Sequence, residues 1–218
     1  MRAAFLFLCC CVLLLGGCGS YHQVQVDSLR AAGAGSGPCL LLPGDAVLAE
    51  DDLLFREVCR LLTPALEEAG YPPTDASTAA LQTRVSLGLE EPETIYYMDY
   101  ESRYRPITRR GETEYILVEE PVLSSRTLHT AVLLLECLAR PLSRAAVGKG
   151  AQLWRTRVRV TGPQDDLLGL VQSAALALRG GVLASHGQGQ RSFEVFVSDK
   201  GERSVKAKEI SLQGSAGS

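Results

Sequence analysis

The spacing of apolar and polar residues changes period several times along this chain, and each change predicts an element. Residues 153–161 alternate strictly, with Trp154, Thr156, Val158 and Val160 on one face and Arg155, Arg157 and Arg159 on the other, which predicts a strand buried on one side only. Residues 78–90 do the same: Ala79, Leu81, Thr83, Val85, Leu87 and Leu89 oppose Gln82, Arg84, Ser86 and Glu90, as in the half-exposed strands of antiparallel sheets. Between Asp51 and Ala69 the period becomes that of a helix, with Leu54, Val58, Leu61, Leu62, Ala65 and Leu66 recurring at three and four and Gly70 as the stop. Pro64 removes one backbone donor there, so a kink or broken turn is expected near 60–63. A second amphipathic helix is expected over 165–179, opened by Pro163, Asp165 and Asp166 and closed by Gly180 and Gly181.

Residues 128–138 are apolar on both faces apart from His129, Thr130 and Glu136, and are assigned as a strand paired with 153–161. Shorter strands are expected at 39–42, 113–118 and 193–197, and 95–104 as a strand end leading into a long loop. Residues 19–28 set Tyr21, Gln23 and Gln25 against His22, Val24 and Val26, an edge strand or an extended tether, followed by an Ala, Gly and Ser linker to Pro38. The sum is an α+β fold: a mixed or mainly antiparallel sheet of about five to six strands packed with two helices. The expected divisions are a leader over 1–17, a tether over 18–38, one domain over 39–200 and a frayed tail over 201–218.

The first eighteen residues change this picture most. Arg2, an apolar run from Ala3 to Leu15 and small residues before Cys18 form a secretory leader. Thirteen helical residues rise roughly 20 Å against about 30 Å of hydrocarbon, so the run is too short to stay as a span. Leu15-Gly16-Gly17-Cys18 resembles a bacterial lipobox. That resemblance implies a mature chain starting at Cys18, with diacylglycerol on its sulfur and a further acyl chain, such as palmitate, on its amine. Each buried methylene contributes about 0.8 kcal/mol, so two or more chains hold a protein at a bilayer almost permanently. Gly19 in place of Asp after the cysteine implies sorting to the outer membrane, facing the periplasm.

About 200 residues remain after the leader, enough for one domain with a core. With 46% hydrophobic and 22% charged residues the mature region is not of disordered composition. Loss of Arg2 takes the formal charge from -3 to -4, and no long basic run offers a nucleic-acid footprint. Of the seven cysteines, Cys9, Cys10 and Cys11 leave with the leader and Cys18 is the lipidation position. Cys39, Cys59 and Cys137 permit one internal bridge at most; buried thiols acting as small hydrophobes are the commoner outcome.

Candidate chemistry is sparse. His22, His129 and His186 have no metal-ligand spacing, and Ser124, Ser125 and Ser185 lack a nucleophile-elbow pattern, so neither a cofactor, a metal nor a hydrolytic triad is expected. Glu90-Glu91 and Glu119-Glu120 invite comparison with the paired carboxylates of glycosidases. Neighbours along a strand point to opposite faces, however, so each doublet puts one acid on a side, and pairing with Arg84, Arg155, Arg157 and Arg159 is the simpler expectation. The row Arg155, Arg157, Arg159, with guanidinium groups about 7 Å apart, is the first candidate interaction surface, for an anionic polymer or an acidic protein. The second is the tyrosine cluster Tyr96, Tyr97, Tyr100 and Tyr104, whose amphipathic rings suit interface anchors or packing on a sheet edge.

The order of short motifs resembles a bacterial lipoprotein family catalogued as domain of unknown function 4136. The matching stretches are Val26-Asp27-Ser28-Leu29, Leu42-Pro43-Gly44, Asp52-Leu53 with Phe55 and Glu57, and Ala65-Leu66 to Gly70-Tyr71. Gly88 with Pro92, Leu153-Trp154-Arg155-Thr156, and Gly162 with Asp166-Leu167 complete the series, spanning roughly 24–197. The resemblance implies a small α/β lipoprotein domain without a known activity, the middle extension being replaced here by the charged stretch 101–112. The resulting expectation is a non-catalytic envelope lipoprotein that serves structure or protein contact, with an envelope protein as partner. The competing expectation is a cell-wall glycan hydrolase using Glu90 or Glu119 as its acid.

Overall fold

A computed structural model describes residues 19–44, 48–49, 52–109, 111–139, 150–179, 183, 190–198 and 200–207. The leader, Cys18, Ser185, His186 and the end of the tail lie outside the described residues. The chain forms two units, 92–128 and the remainder.

The larger unit is built on the strand order β2-β3-β5-β6-β1-β7-β8. Its strands are β1 (Ser20–Arg30), β2 (Cys39–Pro43), β3 (Leu81–Leu89), the 129–139 part of β5 (Glu112–Ala139), β6 (Gln152–Gly162), β7 (Gln190–Val197) and β8 (Arg203–Ala207). Only β2 and β3 pair in parallel; every other neighbour is antiparallel. Two helices make the crossovers: α1 (Leu53–Glu68) joins β2 to β3, and α2 (Leu167–Leu178) joins β6 to β7 around β1. With β4 (Glu93–Arg109), paired to β5, the sheet has eight strands, so the α+β class holds but the expected five to six strands were too few.

Period two on β6 does what the sequence predicts. Trp154, Thr156, Val158 and Val160 are buried, and Arg155, Arg157 and Arg159 are exposed. The same alternation buries Thr83, Val85 and Leu87 of β3 and Leu133, Leu135 and Cys137 of β5, the apolar ones among them joining the hydrophobic core. Helix α1 covers this face with Phe55, Val58, Leu62, Ala65 and Leu66. Its N-cap Asp52 accepts from the Leu54 N–H at 3.0 Å, and Gly70, at φ 84°, lets the Tyr71 N–H turn back to the Leu66 carbonyl at 2.8 Å. The helix runs unbroken through Pro64, so of the kink or broken turn expected near 60–63 the break does not occur; the Thr63 hydroxyl donates to the Cys59 carbonyl at 2.9 Å. Helix α2 is more enclosed than an amphipathic helix, with eight of its twelve residues buried.

Three expectations are corrected. Residues 20–30 are neither edge strand nor tether: β1 sits between β6 and β7, burying His22, Val24, Val26 and Ser28, so the folded unit begins well before residue 39. The tail expected to be frayed from residue 201 is ordered at its start, because Arg203–Ala207 pairs with β7, and the rest of it lies outside the described residues. Residues 95–104 are no loop but part of a ribbon in which all of β4 pairs with 112–128 of β5.

Trp154 is 1% exposed and meets the Tyr71 ring edge-on at 5.2 Å between centroids. Cys39, Cys59 and Cys137 are free thiols, and burial pushes Cys59 and Cys137 up to about 11, so neither is a thiolate nucleophile at neutral pH. On β1 the buried Ser28 hydroxyl bonds the Thr156 hydroxyl at 2.7 Å. His22 bridges the sheet to α2: Nδ1 lies 2.8 Å from the Ser173 hydroxyl and Nε2 faces the Gln164 carbonyl oxygen. The Gln164 amide nitrogen donates in turn to the Ser20 hydroxyl, and the Ser173 hydroxyl also reaches the Gly169 carbonyl at 3.2 Å, so the ring sits in a continuous polar network. Gly162 permits this, since a Cβ there would lie 2.5 Å from the imidazole.

Burial lowers the His22 pKa below its ordinary 6.5; the Gln164 bond opposes this, Arg203 adds to it and Asp166 opposes it. The unfolded chain therefore binds a proton below pH 6.5 that the native state resists, so this contribution is complete above pH 6.5 and is lost as pH falls beneath it. We expect the thermal midpoint to drop between pH 7.5 and 5.5, and His22→Gln to flatten that slope, as read by circular dichroism. Trp154→Ala is expected to cost about 3–5 kcal/mol in urea denaturation, because the cavity opens beneath the central strands.

Candidate functional site

The face of the sheet away from the helices is polar at its centre. There β6 lies between β1 and β5, and the register opposes Arg155, Arg157 and Arg159 to Leu29, Asp27 and Gln25 on one side. On the other side they oppose Glu136, Leu134 and Val132. A groove of about 450 Å³ is lined by Gln25, Asp27, Glu90, Arg157 and Arg159, and a smaller one of about 180 Å³ by Asp27, Leu29, Arg155 and Arg157. The structure thus sets the arginine row along two adjoining grooves that share Asp27 and Arg157.

Its charges are unequally engaged. Arg159 donates from Nε at 3.1 Å and Nη2 at 2.6 Å to one oxygen of Glu90. Arg155 sits 3.8 Å from Glu136. Arg157, between them, makes no ion pair among the described residues, although Asp27 stands directly across the ladder from it. Three guanidinium groups and the carboxylates of Asp27, Glu90 and Glu136 balance in number, so a dense polyanion gains little here. The exposed Arg157 fork beside the Asp27 carboxylate instead offers donors and acceptors together, which suits a polar protein segment.

The tyrosines divide. On the ribbon, direct cross-strand partners share a face, so Tyr96, Tyr100 and Tyr104 lie together with their partners Ser125, Pro121 and Leu117. All three rings are well exposed, at 71%, 65% and 71%. Tyr97 points to the opposite, charged face, where the Arg126 guanidinium lies 6.0 Å from its ring centre. That face also carries the Arg103–Glu101 pair at 2.8 Å and the Arg105–Glu120 pair.

The proposed acids do not form a pair in one unit: Glu90 belongs to the larger unit with its oxygen engaged by Arg159, and Glu119 is an exposed ribbon residue. Glu120, expected to pair with the β6 arginines, pairs with Arg105 instead. No group of three metal-ligating side chains occurs among the described residues, and no described helix is long and apolar enough to cross a membrane. Sequence reasoning missed Gln25 and Asp27 as groove residues. The signal was present in the β1 alternation, which already set Gln25 apart from His22, Val24 and Val26, but its placement beside β6 is a tertiary fact.

No family model matches the chain, and no curated protein matches it. Two solved structures are similar. One is a PDZ domain protein from Parabacteroides distasonis, at TM-score 0.41 and 11% identity over 81% of this chain, which spans only 40% of that protein. The other is a PelC dodecamer from Paraburkholderia phytofirmans, at TM-score 0.39 and 13% identity over 75% of this chain and 99% of that one. At these scores the likenesses carry no argument about this protein.

Proposed function

We propose that this is a non-catalytic envelope lipoprotein, held by acyl chains on Cys18 at the periplasmic face of the outer membrane, whose sheet groove receives an envelope protein partner. The observation that carries the contact role is Arg157, an exposed guanidinium that lines the groove of about 450 Å³ and makes no ion pair among the described residues. A solvated row of no further use needs no such gap, since Glu90 and Glu136 satisfy its neighbours. The address rests on the leader and lipobox pattern ending at Cys18, and the family reading on the ordered motifs over roughly 24–197.

Two measurements test the two halves separately. Mass analysis of protein isolated from its host is expected to show an N-terminal Cys18 carrying a diacylglycerol and an acyl chain; an unmodified N-terminus, or a retained leader, overturns the anchor. In intact cells, replacing Arg155, Arg157 and Arg159 together by Gln is expected to abolish chemical crosslinks to the partner at least tenfold, about 1.4 kcal/mol, while circular dichroism stays native. Crosslinks that survive in the folded triple variant overturn the groove as the contact site.

A further inference from the structure

The ribbon of β4 and 112–128 of β5 has two faces of opposite character. One presents Tyr96, Met98, Tyr100, Tyr104 and their partners, and Glu119 is the single charge among its sixteen residues. The other carries ten charged side chains among eighteen, Arg109 and Glu112 at the tip included. Leu123 and Leu117, on the uncharged face, are 68% and 58% exposed. A two-stranded ribbon is marginal in water unless an apolar face is covered, so this face lacks its second layer.

The edges are poorly suited to supplying that layer. Pro106 and Pro121 both fall in rows of the same parity, and proline cannot donate, so these are the rows whose backbone groups point outward. Each free edge thus lacks a donor partway along, which blunts strand addition and leaves the face as the surface for association.

The geometry points to a second copy of this chain as the occupant, its ribbon packed face to face about a two-fold axis running along the strands. That operation sets each residue against the cross-strand partner of its counterpart. Tyr100 meets Pro121, Met98 meets Leu123, Tyr104 meets Leu117 and Tyr96 meets Ser125, so no large side chain of the face opposes its own copy. Glu119 meets the Ser102 hydroxyl and not its own copy, which removes the one like-charge contact the face could suffer. Strand β4 has 17 residues, so the face is roughly 55 Å by 10 Å; two copies bury on the order of 1,100 Å², just above what a specific interface needs.

The test uses the full-length protein, purified in detergent and followed by sedimentation equilibrium. A dimer is expected whose dissociation constant rises at least about tenfold in Tyr100→Glu and in Leu123→Glu, and stays within about twofold in Arg103→Gln on the opposite face. Should a Glu variant fail to fold, a photoreactive benzophenone side chain at Tyr100 is expected to crosslink, in a mixture of light and heavy chains, to the Pro121 region of the other chain. The proposal is overturned by a monomer up to ~100 μM, by a dimer insensitive to both Glu variants, or by photocrosslinks that map to lipid or to a different protein.

Discussion

A guanidinium group cannot be buried without partners, and β6 carries three of them at every second position. Because strand side chains alternate with period two, sliding β6 by one residue against β1 or β5 would drive Arg155, Arg157 and Arg159 into the space now filled by Trp154, Thr156 and Val158. The central register is therefore fixed by charge as firmly as by apolar burial. The same alternation sets Trp154 against Tyr71 within the core and puts the arginine groove on the opposite side. Core and groove are the two faces of one strand.

Second in importance is the placement of β1. Its inner face contributes His22, Val24, Val26 and Ser28, and His22 ties β1 to α2 through Ser173 and to the segment ahead of that helix through Gln164. Its outer face contributes Gln25 and Asp27 to the groove. A strand close to the N-terminus thus completes both the hydrophobic layer and the polar surface.

Elements whose burial is one-sided and local were legible in the sequence. The alternation of β3 and β6 and the three-and-four spacing of α1 each state their own buried face, and the structure keeps them except at the end of β3, where Leu89 of the expected apolar face is 63% exposed. The rest depended on partners distant in the chain. β1 carries polar residues on one side because it borders the arginine row, so it reads like an edge strand although it is interior. The ribbon lacks a covered face, so its tyrosines, exposed prolines and charges resemble a loop by composition; only the cross-strand register shows that Tyr96 and Tyr100 share a face that Tyr97 does not. Of the site, the arginine row was visible, whereas the gap at Arg157 was not, because salt-bridge partners such as Glu90 lie far away in sequence.

The early start of β1 also governs reach. Ser20 already pairs with Val197, so only Gly19 intervenes between position 18 and the ordered sheet, and a side chain on Gly19 would strike the Phe196 ring. Two residues extend at most about 7 Å. In the proposed anchored form the module has no leash: it rides against the headgroups, and whatever it grips must come to the bilayer surface.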